Sequence, residues 1–385
     1  MTVVATDRSL VELVAQVAKD VAGPNAASVD AEARFPHEAF AALREIGAMS
    51  ALVSVEEGGW GASLAEVGLA TQELGKYCAS TSMIFAMHQI QAACLVRHGR
   101  SPVFAELRRR LVEEQILLAS ATTELGIGGD VRTSSCAVER VGDRYRLEKN
   151  APVISYAEHA DAIFVTARAT PDSPPSDQSL VVCLKEDLQL EPTSVWDTLG
   201  FRGTCSPGFV LRSEGPISHV LDDPYGDMSA RTMLPVSHSL WGHVWLGIAD
   251  AAVDTARRFV RKAARSKPGT TPPGASRLVE VVGVHQQLAD VVHTAAARFD
   301  AVAHDDDVLT SVGFAIAMNN VKITASTLVI DIVSRALLVV GIAGYREDGA
   351  FAMGRLLRDA YGGALMVNND RIAGNTAQLL LVHKD

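Results

Sequence analysis

Aromatic residues are scarce in this chain: Phe, Trp and Tyr make up 5% of its 385 residues. Positive charge is also short, with 35 Lys and Arg against 45 Asp and Glu and a net charge of −10. A nucleic-acid surface needs clustered cations and stacking rings, so that class is excluded. The five cysteines (Cys78, Cys94, Cys136, Cys183, Cys205) are scattered and odd in number, with no CxxC and no Cys/His ligand spacing. Neither a zinc site nor a disulfide framework is expected, which fits a reducing, cytoplasmic setting. The most apolar run, 323–343, contains Asp331 and Arg335 and therefore reads as a buried helix, not a membrane span. The first ten residues carry Asp7 and Arg8 and no apolar core, so no signal peptide is expected. Low-complexity tracts and internal repeats are missing as well.

What is present describes a folded chain. Hydrophobic residues reach 48% and charged ones 21%, and 385 residues exceed one usual core, so two or three packed subdomains are expected. The texture changes twice. Residues 1–114 are rich in Ala and Leu at helical spacing, with Leu10, Leu13, Val14 and Val17 on one stripe and Phe40, Leu43 and Ile46 on another that stops at Gly47. Residues 115–228 hold short strand-like runs at 136–141, 145–147, 162–167, 180–184 and 208–211, parted by turns such as Gly142-Asp143. Residues 229–385 return to helical periodicity in four long stretches: 231–264, 276–304, 310–341 and from Arg355 onward. Helices, then strands, then a helical bundle is a three-part, α+β, mainly α plan.

The chemistry starts at Ala121-Thr122-Thr123-Glu124-Leu125-Gly126-Ile127-Gly128-Gly129-Asp130-Val131, a polar, glycine-rich turn after an apolar run. Its glycines let backbone approach a flat ligand, and Thr122 and Thr123 add hydroxyl donors. The turn resembles the T-E-P-G-x-G-S-D signature of acyl-CoA dehydrogenases, with Leu125 in place of proline and Gly129 in place of serine. Further along, the run from Arg144 to Asp161 resembles the family's Gly-x-Lys-x-x-Ile-Thr-Asn segment. Leu199-Gly-Phe-Arg-Gly-Thr is similar to its Leu-Gly-x-Arg turn. Val340-Gly-Ile-Ala-Gly-Tyr and Arg358-Asp-Ala are similar to its Gly-Gly-x-Gly-Tyr and Arg-Asp-Ala.

That resemblance spans nearly the whole chain. It implies an N-terminal helical domain, a middle β-barrel or sandwich-like domain, a C-terminal four-helix bundle and bound FAD. By resemblance, Thr122, Thr123, Gly128 and Gly129 would hold one edge of the isoalloxazine, and Ile154-Ser155 would lie at its other face. Hydroxyl and backbone donors suit the negative charge of reduced flavin. Gln286, Gly341 and Gly344 would serve the pyrophosphate or adenine end in a neighbouring subunit of a homodimer or homotetramer. The family's Arg-x-x-Phe-Gly motif for that end is replaced by a Pro- and Gly-rich loop after Ala264.

The family's catalytic glutamate is also replaced: its position falls on Val367, and the alternative site on the first bundle helix reads Ser237-His238. Three residues stand as substitute bases. Asp370 lies one helical turn beyond the usual position, His238 titrates near neutrality, and His88 sits on a helix that lines the acyl pocket in relatives. Trp241 and Trp245 would be core or channel wall. The first functional expectation is α,β-dehydrogenation of an acyl thioester, on CoA or a carrier protein, with a displaced base and a specialised-metabolite role. The second is a flavin monooxygenase or oxidase on the same fold. The third is a flavin-binding protein without catalysis. The protein partner would be an electron-transfer protein or a flavin reductase, with no nucleic acid and no membrane involved.

Overall fold

The computed structural model describes residues 8–127 and 131–383, so Gly128 and Gly129 lie outside the described residues. The helical first part comprises α1 (Leu10–Val17), α2 (Gly23–Ala31), α3 (His37–Glu45), α4 (Leu64–Tyr77), α5 (Ala79–His98) and α6 (Pro102–Glu113). Local chemistry fixes their starts. Ser9 with Glu12 opens α1 and Ser63 with Glu66 opens α4, each as a reciprocal capping box. The Leu10, Val14 and Val17 stripe is buried as its spacing requires, whereas α5 is buried nearly all round and forms the middle of the molecule.

The strands form two sheets. One has the order β1–β4–β5, built from β1 (Leu118–Ala121), β4 (Ala162–Arg168) and β5 (Gln178–Leu184), with β1 and β4 parallel. The other has the order β2–β3–β7–β6, built from β2 (Glu139–Val141), β3 (Arg144–Ala151), β6 (Leu188–Pro192) and β7 (Phe209–Pro216), and all its pairs are antiparallel. In β3, Tyr145, Leu147, Lys149 and Ala151 alternate inward. β6 has no counterpart among the sequence expectations because only its leucines, Leu188 and Leu190, carry an apolar signal.

The remainder is helical: α7 (Tyr225–Met228), α8 (Leu234–Ser266), α9 (Ala275–Val302), α10 (Asp306–Leu309), α11 (Val312–Val340), α12 (Ile342–Tyr345), α13 (Gly354–Leu365) and α14 (Asn369–Val382). α11 alone among the described helices is long and apolar enough to cross a membrane. Here it packs on α8, α9, α13 and α14. α4 and α8 cross at Gly75 and Gly247, where a Cβ on Gly247 would stand 2.4 Å from the Gln72 carbonyl oxygen. That contact joins the first helical part to the bundle. The stretch from Arg355 onward is not one helix. α13 stops at Leu365, Val367 takes φ 44°, and α14 starts afresh behind Asn368, whose side chain accepts from the Asp370 N–H.

Candidate functional site

Two cavities meet where the three parts of the chain join, one of 550 Å³ and one of 190 Å³. Met87, Ser120, Thr122, Trp241 and Val367 line both and form the wall between them.

The larger cavity brings the sequence motifs together. Thr122 and Thr123 leave β1 on one side, and Ser155 follows β3 on the other. The Thr123 hydroxyl donates to the Val153 carbonyl at 3.2 Å, which ties the two segments. Ser206 donates to the Ser155 hydroxyl at 2.9 Å and bonds Thr204 at 2.8 Å, so a row of three hydroxyls borders the space. Ile154 does not contribute a side chain: it is fully buried in the core, and its N–H donates to Pro207.

The floor is formed by Leu199, Gly200 and Phe201, and two motifs explain each other there. A Cβ on Gly200 would lie 2.3 Å from the Arg358 carbonyl oxygen, so only glycine fits. The Phe201 N–H donates to Asp359 at 2.7 Å, and Arg358 reaches both Asp30 (2.9 Å) and the Leu199 carbonyl (3.0 Å). Burial pushes the Asp359 carboxyl up to about 6, against the Phe201 bond and the nearby Arg355.

The glycine turn itself rests on a buried ion pair. Glu124 accepts from the Ser134 hydroxyl (2.7 Å), the N–H groups of Ser135 and Cys136, and the Lys149 ammonium at 3.2 Å. Lys149 also donates to the Thr166 carbonyl at 2.7 Å. Burial opposes the Glu124 charge, but Lys149 and these donors outweigh it and hold the carboxyl below its usual range. Sequence reasoning missed this pair, although its signal is present: Lys149 occupies an inward position in the alternation of β3.

The smaller cavity is mostly apolar, lined by Met87, Ile90, Met233, Leu234 and Trp241 among others, with Gln91, Ser237, His238, Asn319, Asn375, Arg132 and Arg371 as its main polar groups. The His238 Nδ1–H donates to the Met318 carbonyl at 3.0 Å, which leaves Nε2 as the lone-pair nitrogen. Burial, opposed by that bond and reinforced by the charge of Lys322, pushes His238 down to about 4.

The other two base candidates lie away from these two walls. His88 is fully buried and lines neither cavity. Its Nε2 donates to Met49 at 2.8 Å and its Nδ1 accepts from Leu118 N–H at 3.0 Å, so both nitrogens are committed to pinning β1. Asp370 is exposed in the first turn of α14, where a carboxylate favours the helix dipole, and it too is absent from both walls. The helix break at Val367 destroys the phase that would have aimed it inward. Gln286 and Gly341 are exposed, Gly344 is packed on Leu337 and Val340, and none of the three lines either of these two cavities. Trp241 is wall, whereas Trp245 is fully buried core.

Residues 5–116 match the family model described as acyl-CoA dehydrogenase, N-terminal domain, and residues 229–366 match acyl-CoA dehydrogenase, C-terminal domain. The chain belongs to the acyl-CoA dehydrogenase family. It is thereby an enzyme of a flavoprotein oxidoreductase family. It is 26% identical over 359 residues to the probable acyl-CoA dehydrogenase FadE25 of Mycobacterium tuberculosis, covering 92% of this chain and 88% of that protein. Among solved structures, it is similar to FMN-bound TdsC, a dibenzothiophene monooxygenase of Paenibacillus sp. A11-2, at TM-score 0.85 and 20% identity, over 97% of both chains. It is also similar to butyryl-CoA dehydrogenase of Megasphaera elsdenii, at TM-score 0.83 and 19% identity, over 98% of this chain and 100% of that one. These structures establish the acyl-CoA dehydrogenase fold.

Proposed function

We propose that the larger cavity holds the isoalloxazine of a flavin, and that the enzyme uses reduced flavin and O₂ to oxygenate a small, largely apolar substrate bound in the smaller cavity. The observation carrying this reading is that no Asp or Glu lines either cavity among the described residues. Dehydrogenation of an acyl thioester removes an α-proton and needs a base within reach. Val367 stands on the wall at the position the sequence assigns to that base, and Asp370 faces away. A carboxylate base becomes neutral on accepting the proton, which burial favours. His238 would instead become a buried cation in the field of Lys322.

The larger cavity suits the ring. Its 550 Å³ carries the hydroxyls of Thr122, Thr123, Ser155 and Ser206 on one border and Met83, Phe201 and Trp241 on others. In monooxygenation, reduced flavin and substrate each give two electrons to O₂, one oxygen entering the substrate and the other leaving as water. The chain's own residues then have to exclude water and orient the substrate, and the neutral Gln91, Ser237, Asn319 and His238 Nε2 stand on that wall beside the cations Arg132 and Arg371. The small wall, mostly apolar with Met87, Ile90, Met233, Leu234 and Trp241 around a few polar groups, matches a compact, largely apolar substrate better than a long acyl chain.

The isoalloxazine contacts do not select FAD over FMN. The adenine-end residues Gln286 and Gly341 would act only with a second copy of the chain, for which exposed Leu338, Ile342 and Tyr345 supply an apolar edge. α,β-Dehydrogenation of a thioester, with electrons passed to a partner flavoprotein, is the second reading. It is favoured by the dehydrogenase relatives at 26% identity.

The purified protein, loaded with FMN or FAD, separates the two in stopped-flow absorbance. Oxygenation predicts no anaerobic bleaching by a panel of acyl-CoA and acyl-carrier thioesters. It also predicts an oxygen-dependent absorbance transient between the reduced and oxidised flavin spectra. Bleaching by any thioester would overturn this reading in favour of the dehydrogenase.

A further inference from the structure

Three polar side chains of the smaller cavity have their donors committed to the protein and keep acceptors for whatever enters. Ser237 and His238 stand on α8 and Asn319 on α11, all three buried and all three on the cavity wall. The Ser237 hydroxyl donates its proton to the Leu234 carbonyl at 2.9 Å, so its oxygen keeps only lone pairs. The His238 Nδ1–H goes to the carbonyl of Met318, the residue before Asn319, at 3.0 Å. Nε2 is therefore an acceptor, and burial keeps the ring neutral by pushing it down to about 4.

Asn319 is set from α14. The Thr376 hydroxyl donates to the Ile372 carbonyl at 2.7 Å, so its oxygen accepts the other bond it makes, from Asn319 Nδ2 at 3.1 Å. That turns the amide nitrogen to Thr376 and leaves Oδ1 without a partner among the described residues. The rest of the polar wall has no such preference. Gln91 and Asn375 are amides that can turn either end to a ligand, and the Tyr225 hydroxyl donates to Met233 Sδ at 3.2 Å. Arg132 and Arg371 carry donors only.

We infer that Ser237, His238 and Asn319 are the specificity-determining residues of this site, an acceptor patch that reads an N–H or O–H donor on an uncharged substrate. The inference rests on the smaller cavity being the substrate site. A buried acceptor without a donor is unfavourable, so a ligand that brings one gains over a ligand of equal size that does not. An ammonium is a poor carrier of that donor, because no Asp or Glu lines either cavity among the described residues to balance its charge. With Met87, Ile90, Met233 and Leu234 on the same wall, the pattern describes a compact apolar body bearing a hydroxyl or a neutral amino group.

Isothermal titration of the oxidised, flavin-loaded protein at neutral pH tests this with phenol, aniline, toluene, methoxybenzene and benzylamine. Toluene matches phenol in size and is more apolar, yet phenol and aniline should bind about tenfold tighter or more. Methoxybenzene keeps the oxygen without the donor, so it should bind like toluene; were Arg132 or Arg371 the reader, it would match phenol. Benzylamine, an ammonium at this pH, should bind weakest. The preference for phenol over toluene should fall toward unity in Asn319→Leu and in His238→Phe. Should neither variant fold, Ser237→Ala should still reduce it, and the ratio in the unaltered protein needs no variant. Toluene or methoxybenzene binding as tightly as phenol, a preference for benzylamine, an undiminished ratio in the folded variants, or no binding of any probe overturns the inference. The oxygenation reading fails on a different result, flavin bleaching by a thioester, which leaves this ratio untouched.

Discussion

Asp359 illustrates how one side chain can matter to this site without touching a ligand. Its Oδ1 accepts the Phe201 N–H at 2.7 Å, and Phe201 with Gly200 floors the larger cavity. Burial makes its charge unfavourable, but the acceptor is needed. Asp359→Asn keeps an oxygen there and removes the charge, so stability at neutral pH should be unchanged or higher. Asp359→Leu strands a buried N–H and should cost about 1–3 kcal/mol while loosening flavin binding. Denaturant titration and FMN or FAD binding of the two variants check this; equal losses in both would show that the charge itself is what matters. The Arg-Asp-Ala and Leu-Gly-Phe-Arg motifs were visible in the sequence as separate signatures. Their mutual contact was not, because it joins residues 158 positions apart.

Among elements, the glycine turn and β3 form one mechanical unit. The turn was legible from its composition, and Thr122, Thr123 and Ser155 do converge on one cavity. What holds the turn was not legible, because a Glu and a Lys 25 positions apart look like two surface charges unless strand parity is applied. Lys149→Met would leave Glu124 buried and uncompensated, with an expected cost of about 3–5 kcal/mol. Replacing both by apolar residues of similar volume, Glu124→Leu with Lys149→Met, should recover much of that stability but not flavin affinity, since the donors from Ser134, Ser135 and Cys136 then lose their acceptor. Chemical denaturation and flavin titration of the single and double variants separate these effects; a double variant no more stable than the single would sink the argument. The helix phase beyond Leu365 failed for a different reason. Val367 and Asn368 carry no glycine or proline to announce a break, so counting one turn from the expected base placed Asp370 on the wrong face.

Across the whole molecule, histidine burial sets the response to acid. His88, His238 and His243 are each pushed down to about 4, and burial is the leading cause for all three. His98, His159 and His219 are lowered by the same cause. Between pH 6.5 and 4 the unfolded chain takes up protons that the folded chain refuses, so folding stability falls as pH drops through that window. For one fully buried imidazole, a shift of this size corresponds to about 3 kcal/mol. Asp359 works in the opposite direction. Its carboxyl, raised to about 6, binds a proton in the fold before the unfolded chain does, so acidification from about pH 6 toward the ordinary carboxylate range favours the folded state at that one position. Three strongly shifted imidazoles against one carboxyl leave the balance on the side of acid loss. The melting temperature should therefore drop steeply between pH 6.5 and 4.5 while staying nearly flat from pH 7 to 8. His243 is the residue to vary, because its Nδ1 bonds only within α8, to Ser239 at 2.8 Å, and it lies outside both cavities. His243→Gln should flatten the acid limb of the curve without altering flavin binding. An unchanged slope in that variant would mean that His243 already escapes protonation through local opening, and the acid sensitivity would then belong to the histidines that hold β1 and line the smaller cavity.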